Sequence, residues 1–224
     1  MRTLAIGDIH GCSAALDHIL KMVRPQKDDI VVTMGDYVDR GPDSKGVVDR
    51  MLALKSYCRL IPLKGNHEMM MLESRTDAEW ERSWRGHGGD QTLLSYAPQK
   101  EKPGFADVPP AHWEFLEHDC LDYWETDSHI YVHANLAQDV PLNEQPPFML
   151  FWEFLSDRPQ PHCSGKTMIC GHTSLRSGYP LNLGHTICID TYAYGGGFLT
   201  CLDVGSSTVY QASQSGMRRE MKLR

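Results

Sequence analysis

The sequence lacks any apolar run long enough to cross a lipid bilayer. A membrane-spanning helix needs about 20 consecutive apolar residues, and every apolar run among these 224 residues is much shorter. No charged-then-apolar leader is visible either, because a strand is already predicted from Thr3. We therefore expect a cytoplasmic location and no membrane partner.

Paired cysteines are also missing. The seven cysteines are odd in number, scattered along the chain and contain no CxxC pair. This pattern gives no disulfide framework. We expect free, mostly buried thiols in a reducing compartment.

Positively charged residues are fewer than negatively charged ones. The chain has 22 Lys and Arg against 29 Asp and Glu, which gives a formal net charge of −7. This balance provides no general attraction to nucleic acid or to an anionic membrane. An anionic substrate would therefore need positive charge that is placed locally.

Repeats and low-complexity tracts are absent, and the composition is ordinary for a globular protein, with 41% hydrophobic and 23% charged residues. The length favours a single domain over residues 1–224. The last residues, 214–224, are polar and basic, so we expect them to form a flexible tail.

Three short apolar runs each end in a cluster of Gly, Asp, His and Asn. Asp8 and Asp36 are 28 positions apart, and Asp36 and Asn66 are 30 apart, which is about the length of a βαβ unit. If the runs are strands of one sheet, the clusters meet at its carboxyl edge, where ligands bind in open α/β sheets. The clusters are residues 7–11 (GDIHG), 35–41 (GDYVDRG) and 65–68 (GNHE), after apolar runs 4–6, 30–34 and 60–63.

Hydrophobic periodicity predicts an α/β (α+β) fold with two sheets packed face to face and helices outside. The N-terminal half alternates strands with helices, whereas strands dominate after residue 121. The predicted helices are 13–23, 44–54, 67–73, two within 76–96 that a glycine-rich break separates, 112–121 and 148–155. The predicted later strands are 122–126, 129–133, 167–170, 186–189, 198–204 and 208–211, with an exposed loop at 97–110.

The polar clusters carry residue types that bind divalent metal ions. Asp8 and His10 are two positions apart and so project to the same side of an extended chain. Asp36 ends a strongly apolar strand, where an unpaired carboxylate is costly to bury and a pair of cations would balance it. Asn66 adds a neutral amide oxygen.

Two histidines at later strand ends, His133 and His172, complete a candidate ligand set. Either one alone favours a hydrogen-bonded core histidine, but together with the three clusters they indicate a two-metal site. Two ions about 3.5–4 Å apart would lower the pKa of a bridging water, so that hydroxide attacks a phosphorus atom in line. The predicted metal ligands are Asp8, His10, Asp36, Asn66, His133 and His172.

Three further residues fit catalytic roles. The guanidinium of Arg40 can clamp a phosphate, with a surface salt bridge as the alternative role. His67, next to Asn66, is placed to protonate the leaving oxygen as general acid. Asp39 could hold the imidazole of His67 in the right tautomer and raise its pKa.

Residues 7–11, 35–41 and 65–68, in this order and spacing, resemble the three-part signature of the phosphoprotein-phosphatase branch of the calcineurin-like metallophosphoesterases. Residues 131–134, 171–173 and 189–191 are similar to the VHA, GHT and IDT segments of that branch. The resemblance covers nearly the whole chain. It implies a metallophosphatase double β-sandwich flanked by helices, in four layers αββα.

The same resemblance implies a dinuclear centre of two divalent metal ions, with manganese first and iron or zinc as alternatives. It assigns Asp36 to both ions and His67, Asp39 and Arg40 to the acid, its orienting partner and the phosphate clamp. The residues implied for one ion are Asp8, His10 and Asp36, and those implied for the other are Asp36, Asn66, His133 and His172.

The sequence departs from the family pattern in two places. Family members usually carry a second phosphate-binding arginine just after a Trp, but Trp152 is followed by 153–155 (EFL). Either Arg158 has taken over this role or the second clamp is missing. Tyr192 stands where the family often has Gly, and we expect it to narrow the rim of the site. The chain also lacks the long C-terminal regions of eukaryotic protein phosphatases, so it resembles the compact bacterial and phage members.

The resemblance implies a phosphoric monoester hydrolase acting on phosphoprotein Ser/Thr or Tyr residues. The alternative is a symmetrical bis(5'-nucleosyl)-tetraphosphatase, which hydrolyses diadenosine tetraphosphate and shares the same three-part signature; an inactive metal-binding scaffold is a more remote alternative. The expected partner is a phosphorylated protein or a small phosphate ester, while the metal identity and the oligomeric state stay open. The predicted catalytic residues are His67, Asp39 and Arg40, and the predicted substrate-binding residues are Arg40, Asn66 and Arg158.

Overall fold

Short apolar strands in two mixed sheets form the centre of the protein. A computed structural model describes residues 1–224. The strands are β1 (Thr3–Ile6), β2 (Ile30–Thr33), β3 (Arg59–Pro62), β4 (Tyr123–Glu125), β5 (His129–Val132), β6 (Thr167–Cys170), β7 (Leu181–Asn182), β8 (Thr186–Cys188), β9 (Leu199–Asp203), β10 (Thr208–Ala212) and β11 (Arg218–Lys222).

The structure contains the helices that the periodicity of the sequence predicts, with small changes at their ends. The two predicted helices within 76–96 are joined by a π-helical turn, Arg85–Gly89. The predicted helix at 148–155 ends early, at Phe151. The helices are α1 (Ser13–Val23), α2 (Ser44–Tyr57), α3 (Asn66–Glu73), α4 (Ala78–Trp84), α5 (Asp90–Tyr96), α6 (Pro110–Glu114) and α7 (Pro147–Phe151).

The first sheet has the strand order β11-β10-β9-β1-β2-β3. Strands β1, β2 and β3 are parallel, with α1 and α2 as their connections, so the predicted βαβ arrangement is confirmed. Strands β9, β10 and β11 extend the sheet in antiparallel fashion.

The second sheet has the order β4-β5-β6-β8-β7. The predicted antiparallel pair at its start is present as β4 and β5, and β5, β6 and β8 are parallel. Strand β7 was not predicted, because two residues are too short for a periodic signal.

Successive side chains of β1 point into two different apolar clusters of the core. Leu4 and Ile6 of β1 belong to one apolar cluster with Leu16 of α1, whereas Ala5 belongs to a second cluster with Ile169 of β6. This alternation follows from the two-residue period of a strand. The first sheet therefore packs on helices with one face and on the second sheet with the other.

The outer face of the second sheet carries its own apolar cluster. Ile130 and Val132 of β5 pack there with Leu150 and Phe151 of α7. Helices thus flank both sheets, which confirms the predicted double β-sandwich. All seven cysteines are free, and only Cys163 is exposed, as expected.

The C-terminal segment differs from the prediction. The predicted flexible tail, 214–224, contains strand β11, which pairs with β10 along five residues. Arg219 donates to Gln211 Oε1 at 2.6 Å and its guanidinium lies 4.0 Å from the ring centroid of Phe198. Charged side chains are common on edge strands, where they discourage further pairing, so hydrophobic alternation does not reveal this strand.

None of the helices combines the length and the apolar composition required to cross a bilayer.

Deleting residues 218–224 should lower the free energy of unfolding by about 2–4 kcal/mol, because the ladder bonds of β11 each contribute about 0.5–1.5 kcal/mol. The measurement is urea unfolding of the full-length and shortened chains. Replacing only the exposed Arg218 by Ala is the control and should leave the midpoint nearly unchanged. Equal stability of the shortened chain would show that these residues are a flexible tail after all.

Candidate metal centre

Shortly after three of the strands that lead into the site, the backbone adopts a left-handed conformation. His10, Asp36 and His172 have φ angles of 44°, 52° and 59°, a region that residues other than glycine rarely adopt. Such conformations cost on the order of 1–3 kcal/mol each and cluster at functional sites. They turn the side chains toward the shared carboxyl edge of the sheets.

A close approach between two clusters requires glycine. Gly35 has a φ angle of 93°, and a Cβ atom there would lie 2.6 Å from the backbone nitrogen of Gly65. A Cβ atom on Gly65 would in turn lie 2.1 Å from Asp36 Oδ1. The two glycines therefore let the second and third clusters meet.

Glu68 ties the same two clusters together. Its buried carboxylate accepts hydrogen bonds from the backbone N–H groups of Asp36 at 2.7 Å, Tyr37 at 2.8 Å and Gly65 at 2.9 Å. Burial raises the pKa of Glu68 to about 8, while the N–H donors favour its charged form. The sequence showed Glu68 only as part of a motif, without this role.

Three histidines are oriented by backbone carbonyl groups. His10 and His133 donate from Nδ1 at 2.9 and 2.7 Å, and His172 donates from Nε2 at 3.1 Å. The other ring nitrogen of each then carries a lone pair. Histidines that bind metals are commonly held in this way.

Asp36 lies between two groups of potential ligands. Its Oδ2 is 3.2 Å from His10 Nε2 and its Oδ1 is 3.6 Å from His133 Nε2. Burial alone would raise its pKa, but the surrounding histidines hold the pKa of Asp36 well below the usual range. The two groups, in each of which the ligand atoms lie within 4.8 Å of one another, are His10, Asp36 and His67, and Asp36, His133 and His172.

Asp8 and Asn66 extend this donor set. Asp8 Oδ2 accepts from the backbone N–H of His172 at 2.8 Å, whereas its buried Oδ1 has no hydrogen-bond partner. Burial and the charges of Asp190 and Asp36 raise the pKa of Asp8 well above the usual range. An orphaned carboxylate oxygen beside other carboxylates fits a bound cation.

Two hydrogen-bond acceptors that face each other give a second test of whether the residues fit a metal ion. Asn66 Oδ1 lies 3.0 Å from His133 Nε2. Because His133 donates from Nδ1, its Nε2 is also an acceptor, so no hydrogen bond joins the two atoms. Burial lowers the pKa of His172 to about 4, so its imidazole is neutral at neutral pH. Neutral imidazoles and a carboxylate are the forms that bind divalent ions, and the residues present fit such ions.

A histidine–aspartate pair lies beside these groups. His67 Nδ1 donates to Asp39 Oδ2 at 2.6 Å, so Asp39 is placed to fix the tautomer of His67 as expected. The expected rise in the pKa of His67 is wrong, because burial lowers that pKa well below its usual value. Asp39 also accepts from Trp84 Nε1 at 2.8 Å and from Thr92 Oγ1 at 2.7 Å. Burial raises the pKa of Asp39 to about 7. Sequence analysis missed Trp84 and Thr92, because they are 45 and 53 positions from Asp39.

The potential ligands open into a cleft of about 670 Å³. Arg40 lines it, with Nη1 3.3 Å from His10 Nε2 and the guanidinium 4.6 Å from the ring centroid of Tyr194. Arg40 forms no ion pair with a carboxylate, so its alternative role, a surface salt bridge, is not supported. Further lining residues are Asn66, His67, Trp80, Trp152, Phe154, His172, Arg176 and Tyr192.

The position of Arg158 corrects one prediction. Trp152 lines the cleft, but Arg158 lies in a separate depression together with residues 135–140. After α7, Trp152 and Phe154 still line the cleft, but the chain then continues into the separate depression, so Arg158 is not among the cleft residues. Arg176 lies there instead, in the loop after β6, and no motif had singled it out. Tyr192 lies on the cleft wall, where it was expected to narrow the rim.

Comparisons with known proteins agree with this geometry. The family model described as calcineurin-like phosphoesterase matches residues 1–188. The chain is 41% identical over 87 residues to serine/threonine-protein phosphatase 1 of Salmonella typhimurium, covering 38% of each protein. It is 39% identical over 74 residues to the symmetrical bis(5'-nucleosyl)-tetraphosphatase of an Acidovorax species, covering 32% of this chain and 25% of the relative. These alignments span less than half of either relative.

Solved structures share the fold over almost the full chain. A cold-active protein-tyrosine phosphatase of a psychrophilic Shewanella species has a TM-score of 0.64 at 16% identity, over 100% of this chain and 80% of that one. A serine/threonine phosphatase from Saccharomyces cerevisiae has a TM-score of 0.65 at 14% identity, over 99% and 80%. The family and the phosphatase relatives indicate a hydrolase. The family model matches well over half of the residues of this chain, and the chain therefore belongs to the calcineurin-like phosphoesterase family.

Proposed function

We propose that this chain is a metal-dependent phosphoric monoester hydrolase. One observation carries the proposal: the buried carboxylate of Asp36 belongs to both groups of potential metal ligands, directly beside the pair of His67 and Asp39. A carboxylate shared in this way suits a two-metal hydrolytic site.

The proposed ligands are those that the sequence predicts. Asp36 would be shared between two divalent ions, with manganese first and iron or zinc as alternatives. When bound, such ions lower the pKa of a water molecule and neutralise charge on the phosphate. The full set is Asp8, His10, Asp36, Asn66, His133 and His172.

His67 is the proposed general acid. Its Nδ1–H is held by Asp39 at 2.6 Å, which leaves Nε2 to face the cleft. Because burial lowers the pKa of His67, the ring gains its second proton, at Nε2, only beside a negative charge, which a bound phosphate would supply. It can then donate that proton to the departing oxygen while Asp39 keeps its orientation. Trp84 and Thr92 fix the carboxylate of Asp39 in turn.

Arg40 and Asn66 are the proposed phosphate-binding residues. Arg40 lines the cleft and forms a hydrogen bond only with His10, so its remaining N–H groups can donate to phosphate oxygens. Asn66 directs Oδ1 toward His133, and its Nδ2 group is left to donate to the substrate.

The preferred substrate is a phosphoprotein carrying phosphorylated Ser, Thr or Tyr. The alternative is a dinucleoside tetraphosphate, and the exposed rings of Trp80 and Phe154 in the cleft favour it, because such rings can stack on a base. An inactive metal-binding scaffold is the least supported, since His67, Asp39 and Arg40 are assembled together.

A substrate panel on manganese-reconstituted protein tests the proposal. Phosphopeptides and p-nitrophenyl phosphate should release inorganic phosphate, and diadenosine tetraphosphate would instead yield nucleoside diphosphate. Turnover of the dinucleotide alone would favour the alternative. Bound metal without turnover of any substrate would identify a scaffold.

His67→Asn should lower kcat for substrates with poor leaving groups by about 10²–10⁴-fold, because protonation of the leaving oxygen is lost. Metal content, measured by elemental analysis, should stay nearly intact. p-Nitrophenyl phosphate, with a good leaving group, is the matched substrate and should be less affected. A fall in bound metal with equal loss on all substrates would make His67 a ligand rather than the acid.

Arg40→Ala should mainly raise KM and also lower kcat, because one charge-assisted clamp on the phosphate disappears. Steady-state kinetics on p-nitrophenyl phosphate measure both constants. Arg158→Ala is the matched control, since Arg158 lies outside the cleft. Kinetics unchanged by Arg40→Ala would remove Arg40 from the site.

Two buried carboxyl groups should lower the stability of the metal-free protein as pH rises from about 4 to about 7, against an opposing contribution from His67 and His172, whose pKa values are lowered. Asp8 and Asp39 have raised pKa values in the folded state, the latter about 7. A carboxyl group of this kind stabilises the fold while it is protonated, and this contribution is lost as pH rises through its folded-state pKa. Manganese should reverse the loss, and more strongly at higher pH.

Thermal unfolding with chelator or with manganese, across this pH range, gives the measurement. Relative to the wild type, Asp8→Asn should gain stability without metal as pH rises, because the raised pKa of Asp8 no longer contributes, and it should respond less to manganese. A variant that responds to manganese as the wild type does would exclude Asp8 as a ligand.

A further inference from the structure

Arg176 reaches the cleft because Asp190 ties two loops together. The carboxylate of Asp190 accepts from Ser174 Oγ at 2.6 Å and from the backbone N–H of Tyr192 at 2.9 Å. Its backbone carbonyl accepts from the N–H of Leu175 at 2.9 Å. These bonds hold the loop that carries Arg176 against the segment that carries Tyr192.

Two tyrosine rings separate Arg176 from Arg40. The guanidinium of Arg176 lies 5.2 Å from the ring centroid of Tyr192, and that of Arg40 lies 4.6 Å from the ring centroid of Tyr194. The two rings contact each other edge to face, with centroids 4.8 Å apart. Because two rings stand between the guanidinium groups, Arg176 is displaced from Arg40 along the cleft wall.

Tyr192 holds this position at a conformational cost. Its φ angle is 64°, which is rare for a bulky residue. Strained backbone persists where the surrounding structure imposes it, and it is common at ligand sites. The ring that supports Arg176 is therefore presented to the cleft by a strained turn.

Both arginines are free to bind a ligand. The arginines that form ion pairs with carboxylates are Arg2, Arg50, Arg75 and Arg85. Arg40 and Arg176 line the cleft and are not among them. In a chain of net charge −7, two unpaired guanidinium groups in one cleft provide the local positive charge that an anionic substrate needs.

We propose that Arg176 is a specificity-determining residue that binds a second anionic group of the substrate, separate from the phosphate that is hydrolysed. This inference rests on the proposed function, which places the reacting phosphate at Arg40 and His67. The second anion is a further phosphate of a polyphosphate chain or a carboxylate next to a phosphorylated residue. Both accept paired N–H donors from a guanidinium group.

Matched substrates test the proposal on manganese-reconstituted full-length protein. p-Nitrophenyl phosphate carries one anionic group. Diadenosine tetraphosphate supplies further phosphates, and a phosphopeptide with acidic neighbours is compared with the same peptide carrying alanines. Arg176→Ala is the test variant and Arg158→Ala is the control arginine outside the cleft.

Arg176→Ala should lower kcat/KM for one of the substrates with a second anionic group about 10- to 100-fold more than for p-nitrophenyl phosphate. The loss should lie mainly in KM, because one charge-assisted contact is removed. The substrate that shows the loss identifies the source of the second anion. Tyr192→Phe should retain the preference because the ring remains, whereas Tyr192→Gly should reduce it. Arg158→Ala should match the wild type.

Equal losses on all substrates would place Arg176 at the reacting phosphate and overturn the inference. Unchanged kinetics, or a wild type with no preference for a second anion, would overturn it as well. A wild type that hydrolyses no phosphate ester would instead refute the proposed function.

Discussion

The site depends on one buried carboxylate, Asp36, placed at the edge where the two sheets meet. Its oxygens face His10 and His133, which come from different sheets, and its backbone lies in a strained left-handed conformation. A lone carboxylate in this position would be costly to bury. The surrounding histidines offset that cost, and cations held by the proposed ligands would offset it further, so the chemistry of the site and the packing of the two sheets are coupled.

Other buried carboxylates hold the segments around Asp36 in place. Glu68 gathers the backbone N–H groups of the second and third clusters, and Asp190 joins the loop after β6 to the turn at Tyr192. Asp39 is fixed by Trp84 and in turn fixes His67. Each carboxylate joins residues that are far apart in sequence, which gives the proposed catalytic groups a rigid frame.

Much of the fold follows from local patterns. The first βαβ units, the helices around 76–96 and the antiparallel start of the second sheet were predictable, since their apolar residues recur with the period of the element. Strand β11 was not, because its charged residues Arg218–Lys222 suit an exposed edge and carry no apolar alternation. Strand β7 gave no signal either, because two residues are too short for a period to show.

The sequence by itself predicted the family, the sandwich of two sheets and the candidate ligand types, because short motifs such as residues 7–11 combine strand ends with side chains of metal-binding type. Only the tertiary structure decided which distant groups meet. It excluded Arg158 and brought Arg176, Trp84 and Thr92 into the site or its support. The physical reason is that the path of a loop and the partner of a buried polar group depend on packing between elements, which a linear pattern does not record.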